Sequence, residues 1–201
     1  MPKLKPLINW DPSRYDALSS NYDRYASWFF PIGEIGQYRV LDDLEPGPIL
    51  DIACGTGSLL KMAGEKGCQT TGVDTSWGML QEARRKIPGA DMVQASFYAL
   101  PFKRNYFEYV VETNSVSGVD INAGEVLSEM ARVCKSGGEI RLGDYGSAGR
   151  KGWWFRFMEI LGILFGDYPN NYRELFKAIG YEAEIEKLGW GGMYQFIRVV
   201  V

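Results

Sequence analysis

Apolar positions change their rhythm along this chain, and each change marks a boundary between elements. Residues 13–28 have helical spacing and carry Tyr15, Tyr22 and Tyr25. Pro31 and Gly33 interrupt it, and residues 34–45 predict a second helix before the turn Glu45-Pro46-Gly47-Pro48. From there short apolar runs alternate with helical stretches. Residues 49–53, 69–73, 91–95, 107–112 and 139–142 predict strands. Between them, residues 58–66, 76–86 and 123–135 predict helices; the second carries Met79, Leu80 and Ala83 on one face, the third Val126, Leu127, Met130 and Val133. The alternation then stops. Residues 153–164 and 172–179 predict two helices, and residues 182–188 and 193–200 two strands joined by Gly189-Trp190-Gly191-Gly192, a terminal antiparallel hairpin.

Strands alternating with helices need a sheet covered on both faces, because a parallel strand returns only through a crossover. The pattern therefore predicts a doubly wound, Rossmann-like α/β fold. Its seven-stranded sheet is mostly parallel, with helices on both faces and the antiparallel hairpin at the end. One domain is expected, with a helical cap at 1–46, a core at 47–145, a helical lid at 146–180 and the hairpin at 181–201. A chain of 201 residues can bury roughly 70% of the surface it exposes when unfolded, so its core needs neither disulfide nor metal.

Composition narrows the chemistry. The formal net charge is -3, with no basic stripe, which disfavours nucleic acid as a partner. There is no histidine, so no Ser-His or Cys-His nucleophilic pair and no histidine-based metal site can form, and no metal is expected. Proton transfer must use Asp, Glu, Lys, Tyr, Cys or water. Cys54, Cys68 and Cys134 include no CxxC pair and fit the reduced thiols of a cytoplasmic protein. Met1 to Trp10 does not read as a signal peptide, and no apolar run of about 18 residues predicts a membrane span.

The densest signal is Ile49-Leu50-Asp51-Ile52-Ala53-Cys54-Gly55-Thr56-Gly57, a buried strand running into a glycine-rich turn that opens a helix. Glycine at 55 and 57 lets a ligand approach the backbone closely at the carboxyl end of the first strand, where open α/β sheets bind ligands. Asp74 ends the next strand, where an acid can accept hydrogen bonds from both ribose hydroxyls of a nucleoside. A dinucleotide site wants GxGxxG, but the third glycine slot holds Leu60 and little chain remains for a second domain. Asp51 would repel a pyrophosphate and attract an ammonium. A ligand with a nucleoside at one end and an amino acid at the other satisfies both acids.

This segment resembles the first motif of class I S-adenosylmethionine-dependent methyltransferases, with Ala53 in the place of the first glycine. The resemblance continues through Gly72-Val73-Asp74-Thr75-Ser76-Trp77-Gly78-Met79-Leu80, which is similar to the family's ribose segment, and Ala95-Ser96-Phe97-Tyr98-Ala99-Leu100-Pro101-Phe102, similar to its adenine segment, where Ser96 replaces a common aspartate. Phe107-Glu108-Tyr109-Val110-Val111 and Met130-Ala131-Arg132-Val133-Cys134-Lys135-Ser136-Gly137-Gly138 complete a match over about residues 47–145. Within the superfamily the chain looks most like the ubiquinone/menaquinone biosynthesis methyltransferases and their small-molecule relatives, through Tyr22-Asp23, Gly33 and Arg39 and through Leu188-Gly189-Trp190-Gly191-Gly192.

The resemblance implies an enzyme that transfers methyl from S-adenosyl-L-methionine to a small apolar or aromatic acceptor, at carbon or oxygen, with a quinone-like molecule as one candidate. Cofactor contacts implied are Tyr22, Asp51, Ala53, Cys54, Gly55, Thr56, Gly57, Asp74, Thr75, Met79, Ser96, Phe97, Asn114 and Ser115. Asp144 and Tyr145, at the end of the fifth strand, are the expected catalytic residues. Bland readings stand beside these: Asp74 or Ser76 as a helix cap, Ser96 and Phe97 as turn and core, Cys54 as a buried thiol, Asn114 and Ser115 as a polar turn. The apolar helix at 153–164 reads as core, as a lid over an apolar pocket, or as a surface for peripheral membrane contact; with only Arg150, Lys151 and Arg156 near it, the lid is favoured. Other readings are a non-catalytic binder of the cofactor or its demethylated product, and N-methylation of a small amine or lipid head group.

Overall fold

A computed structural model describes residues 11–29, 31–118, 120–147 and 153–201. The sheet has seven strands in the order β3-β2-β1-β4-β5-β7-β6. They are β1 (Pro48–Ile52), β2 (Gln69–Asp74), β3 (Asp91–Gln94), β4 (Phe107–Thr113), β5 (Cys134–Tyr145), β6 (Glu184–Gly189) and β7 (Tyr194–Val200). Strands β1 to β5 are parallel, while β7 runs antiparallel to β5 and to β6. This is the doubly wound fold with a terminal hairpin that the pattern predicted. Chain order reverses between β1 and β4, which opens a crevice at their carboxyl ends.

Alternate side chains of each strand enter different cores, as a pleated strand covered on both faces requires. Leu50, Ile52, Val110, Ile140 and Leu142 pack with Val126, Leu127 and Met130 of α6 (Ala123–Val133) and with Tyr172 and Phe176 of α8 (Tyr172–Ala178). Ile49 and Val111 point the other way, onto Val40 at the end of α3 (Pro31–Val40) and Leu59 and Ala63 of α4 (Ser58–Glu65). A smaller cluster joins Cys54 and Leu60 to Leu80 and Ala83 of α5 (Trp77–Lys86). All three cysteines are buried free thiols.

The structure corrects several boundaries. The expected helix at 13–28 is two helices, α1 (Pro12–Leu18) and α2 (Tyr22–Phe29), separated by a single tighter turn at Ser19–Asn21. Asp11 caps α1 by accepting the N–H groups of Ser13 at 2.9 Å and Arg14 at 3.2 Å. Helix α3 begins at Pro31 instead of 34, because proline's fixed φ and missing N–H suit a first helical turn. It stops at Val40 instead of 45, where the buried Arg141 guanidinium takes the carbonyls of Val40 at 3.2 Å and Asp42 at 2.5 Å. Helix α6 ends at Val133, since Cys134 is already extended, and β5 starts there instead of at 139. A bulge separates the Phe107–Cys134 pair from the Tyr109–Glu139 pair.

Residues 1–10 and 148–152, parts of the expected cap and lid that include Arg150 and Lys151, lie outside the described residues. So do the side chains of Tyr25, Trp154, Phe155, Met158 and Leu161. Helix α7 (Trp153–Phe165) leaves Trp153, Phe157 and Ile160 exposed. Among the described residues no helix is long and apolar enough to cross a membrane.

Candidate functional site

The β1–α4 turn has unusual backbone geometry. Ala53 and Gly55 lie in the left-handed region at φ 52° and 53°, and Gly57 at 79° forms the N-cap of α4. A side chain there strains the backbone by about 1–2 kcal/mol, so Ala53 carries a strain that the glycines avoid. The two glycines differ in purpose. A Cβ on Gly55 would meet nothing within 4 Å, so its backbone is open to a ligand. A Cβ on Gly57 would lie 2.9 Å from Ile87 Cδ1 and 3.1 Å from Ala83 Cβ, so Gly57 is small because α5 packs against it. Asp74 ties the turn to β2 by accepting the Gly55 and Ser76 N–H groups, each at 2.8 Å.

A cavity of about 380 Å³ opens on this turn. Its floor is Asp51, Ala53, Cys54, Gly55 and Thr56, and Thr113 and Asn114 at the end of β4 border it, so it occupies the crevice where strand order reverses. Helices α1 to α3 contribute Tyr15, Tyr22, Asp23, Glu34 and Tyr38, and Tyr145 and Asp167 complete the wall. The described lining includes four acids and no lysine or arginine.

Two acids tie α1 and α2 to the turns after β1 and β2. Asp23 accepts the Thr56 hydroxyl at 2.5 Å and pairs with Lys86 of α5. Asp16 of α1 accepts the Ser76 hydroxyl at 2.6 Å and the Gly78 N–H at 2.8 Å, which keeps α1 across the β2–α5 turn.

Asp51 is 3% exposed and lines the cavity. Burial first, and the nearby Asp74 second, push its carboxyl well above the ordinary range. Burial also raises Asp74, against the lowering effect of the N–H groups of Ser76, Gly55 and Thr75. A buried acid facing a cavity without a cation fits an incoming ammonium, and open Gly55 beside it fits close contact with a ligand's chain. On these two observations the residues present suit the amino acid end of S-adenosylmethionine.

Of the residues expected from sequence, the structure brings Tyr22, Asp51, Ala53, Cys54, Gly55, Thr56, Asn114 and Tyr145 to this cavity. The others, Gly57 and Asp74 among them, are not in its lining. Met79 is buried in α5, its N–H capped by Ser76 Oγ at 3.1 Å. Thr75 offers its carbonyl to Gln94 at 2.9 Å. Ser96 caps the Tyr98 N–H at 3.2 Å, and Phe97 packs on the α6 side of the sheet, its ring centroid 4.9 Å from that of Tyr98. Ser115 donates its hydroxyl to Glu112 at 2.7 Å.

Asp144 does not line the cavity. Its two oxygens accept from Ser117 N at 2.8 Å, Ser117 Oγ at 2.7 Å, Tyr145 N at 2.8 Å and Tyr172 Oη at 2.7 Å. Burial raises Asp144 and the neighbouring Glu112 together, and Glu112 Oε2 is buried with no partner among the described residues. Tyr145 does face the cavity; burial, then Asp167 and Asp144, raise its hydroxyl, so it stays protonated. Sequence reasoning missed Tyr15, Glu34, Tyr38 and Asp167, because no local spacing distinguishes them from ordinary helix and loop residues.

A family model described as "Methyltransferase domain" matches residues 49–138. The chain is 29% identical over 136 residues to a demethylmenaquinone methyltransferase of Renibacterium salmoninarum, covering 65% of this chain and 56% of that one. It is 32% identical over 136 residues to a phosphatidylethanolamine N-methyltransferase of Cereibacter sphaeroides, covering 62% and 66%. The chain thus spans between 56% and 66% of the length of these curated relatives. In fold it is similar to a chain of the complex between the Haloferax volcanii Trm112 methyltransferase activator and a methyltransferase, with a TM-score of 0.74 at 18% identity over 92% of this chain and 96% of that one. Over residues 49–138 the chain is thus similar to methyltransferases in sequence, and its strand order is that of the solved structures it resembles.

Proposed function

We propose that this protein transfers a methyl group from S-adenosylmethionine to a small acceptor bearing a phenolic or enolic hydroxyl. The observation that carries the reading is the buried Asp51 beside open Gly55, under a cavity that extends past Asn114 to Tyr145 and Asp167. When bound, S-adenosylmethionine supplies a methyl on a sulfonium that is already activated toward a nucleophile. The chain has then to orient two ligands and exclude water. Asp51 anchors an ammonium, Asp74 shapes the turn by accepting the Gly55 and Ser76 N–H groups, and the tyrosines of α1 to α3 cover the opening. The tyrosine-rich wall suits a flat aromatic acceptor, and the likeness to demethylmenaquinone methyltransferases supports a quinol. Exposed Trp153, Phe157 and Ile160 on α7 support an apolar acceptor met at a membrane surface, for which vesicle co-sedimentation is the direct check.

A second reading, N-methylation of an amine head group, is favoured by the acidic lining without lysine or arginine and by the likeness to a phosphatidylethanolamine N-methyltransferase. Acids beside tyrosine rings suit a cation. Calorimetric titration with S-adenosylmethionine, S-adenosylhomocysteine and NAD tests the common core. The first two are expected to bind and NAD to fail; binding of NAD alone refutes the reading. Release of S-adenosylhomocysteine with a naphthalenediol against an ethanolamine probe separates the two acceptor classes, and release with neither favours a non-catalytic binder.

A further inference from the structure

Asp167 reaches the cavity from the segment after α7, and its backbone is held firmly. Its N–H donates to the Gly162 carbonyl at 2.9 Å, it forms an antiparallel bridge with Gly118, and the next residue, Tyr168, donates its N–H to the Ser117 carbonyl at 2.5 Å. These contacts fasten the segment to the loop after β4, just beyond Asn114, which also borders the cavity. The backbone thus does the structural work, and the carboxylate is left on the cavity wall. Facing it are Tyr15 of α1, Tyr22 of α2 and Tyr145 of β5, whose hydroxyls its charge makes harder to ionise. Asp144 and Ser117 also act on its charge. No lysine or arginine is among the described lining residues.

We propose that Asp167 is the proton acceptor of the reaction, for acceptors that carry an ionisable proton: a phenol, a quinol or a protonated amine. The inference rests on the methyltransferase reading of the same cavity. As the acceptor's oxygen, carbon or nitrogen bonds to the methyl carbon, the methyl–sulfur bond breaks and its electron pair stays on sulfur. The acceptor's proton passes to the Asp167 carboxylate and from there to solvent, so charge and atoms balance.

The neighbouring candidates are poorer bases. Asp144 has both oxygens occupied by four donated hydrogen bonds, and Tyr145 holds its proton. Burial first, and Asp144 second, push Asp167 up to about 7, against the Ser117 hydroxyl. A base near neutrality is better matched to a weakly acidic hydroxyl or ammonium than an ordinary carboxylate, which is largely why such groups are effective.

The test compares wild type, D167N and D167E in calorimetric titration with S-adenosylmethionine and in S-adenosylhomocysteine release, using a short-chain prenyl-1,4-naphthalenediol and ethanolamine as probes. Wild-type kcat is expected to rise with pH through about 7. D167N is expected to lose about 100- to 10,000-fold in kcat and the acid limb with it, to keep cofactor affinity within about threefold, and to be outperformed by D167E. D167N should also melt at or above wild type at alkaline pH, because it removes an ionised acid that burial disfavours. Should D167N fail to fold, D167E and the wild-type pH profile carry the test. Turnover of D167N within about tenfold of wild type, or an acid limb that persists in it, overturns the proposal. Wild type that binds the cofactor but turns over neither probe also overturns it and leaves the cofactor site standing. No cofactor binding at all refutes the underlying reading instead.

Discussion

Replacing Asp51 by asparagine should have opposite effects on the empty and the loaded protein. Asp51 is 3% exposed. Burial first, and Asp74 second, raise its carboxyl, so the cost of burial falls on the ionised form. The sign follows from linkage. A folded-state pKa above the unfolded value means stability is present at low pH and lost as pH rises through the folded value. At neutral pH and above, the asparagine variant is therefore expected to be more stable by about 1–3 kcal/mol. In a chain of this size that raises Tm by roughly 2–10 °C, and the gain should shrink toward pH 4. In the complex the same change removes the partner of a buried ammonium, which costs on the order of 2–4 kcal/mol. Affinity for S-adenosylmethionine should then fall about 30- to 1,000-fold. Thermal melting with and without cofactor, with calorimetric titration, measures both. A variant that melts below wild type when empty, or binds the cofactor within about threefold of wild type, refutes the assignment of Asp51 as a buried acid that receives a cation.

Other outcomes follow from the same geometry. Gly57→Ala should destabilise by about 2–4 kcal/mol in urea unfolding, from its positive φ and the Cβ clash with Ile87 and Ala83, whereas Ala53→Gly should be neutral or stabilising by up to about 1 kcal/mol because it relieves strain at φ 52°. Asp144→Asn should lower stability by about 2–4 kcal/mol by turning an amide toward four donated hydrogen bonds; an unchanged urea midpoint would contradict that. The empty protein as a whole should lose stability from about pH 5 to about pH 8, because Asp51, Asp74, Glu112 and Asp144 are all raised by burial and Asp167 is pushed up to about 7. A melting temperature that rises across that range would contradict this.

The alternation of strands and helices, the seven strands and the glycine-rich turn could be read directly from the chain. Each depends on interactions within a few residues: pleat and helix periodicity, glycine at positive φ, a carboxylate at the end of a strand. The errors arose where distant groups intervene. Arg141 ends α3 by taking its last carbonyls, and the bulge opposite Tyr109 starts β5 early. The spacing of Gly57 does not reveal that α5 packs against it.

The wall facing the turn belongs to tertiary structure alone. Tyr15, Tyr38 and Asp167 lie far apart in sequence and meet only because α1 is pinned by Asp16, α3 by Arg141 and the segment after α7 by Ser117 and Gly118. Likewise Asp144 and Tyr145 are adjacent on β5 and look equivalent in sequence. The pleat sends their side chains to opposite faces, so one is buried among donors and the other meets the cavity.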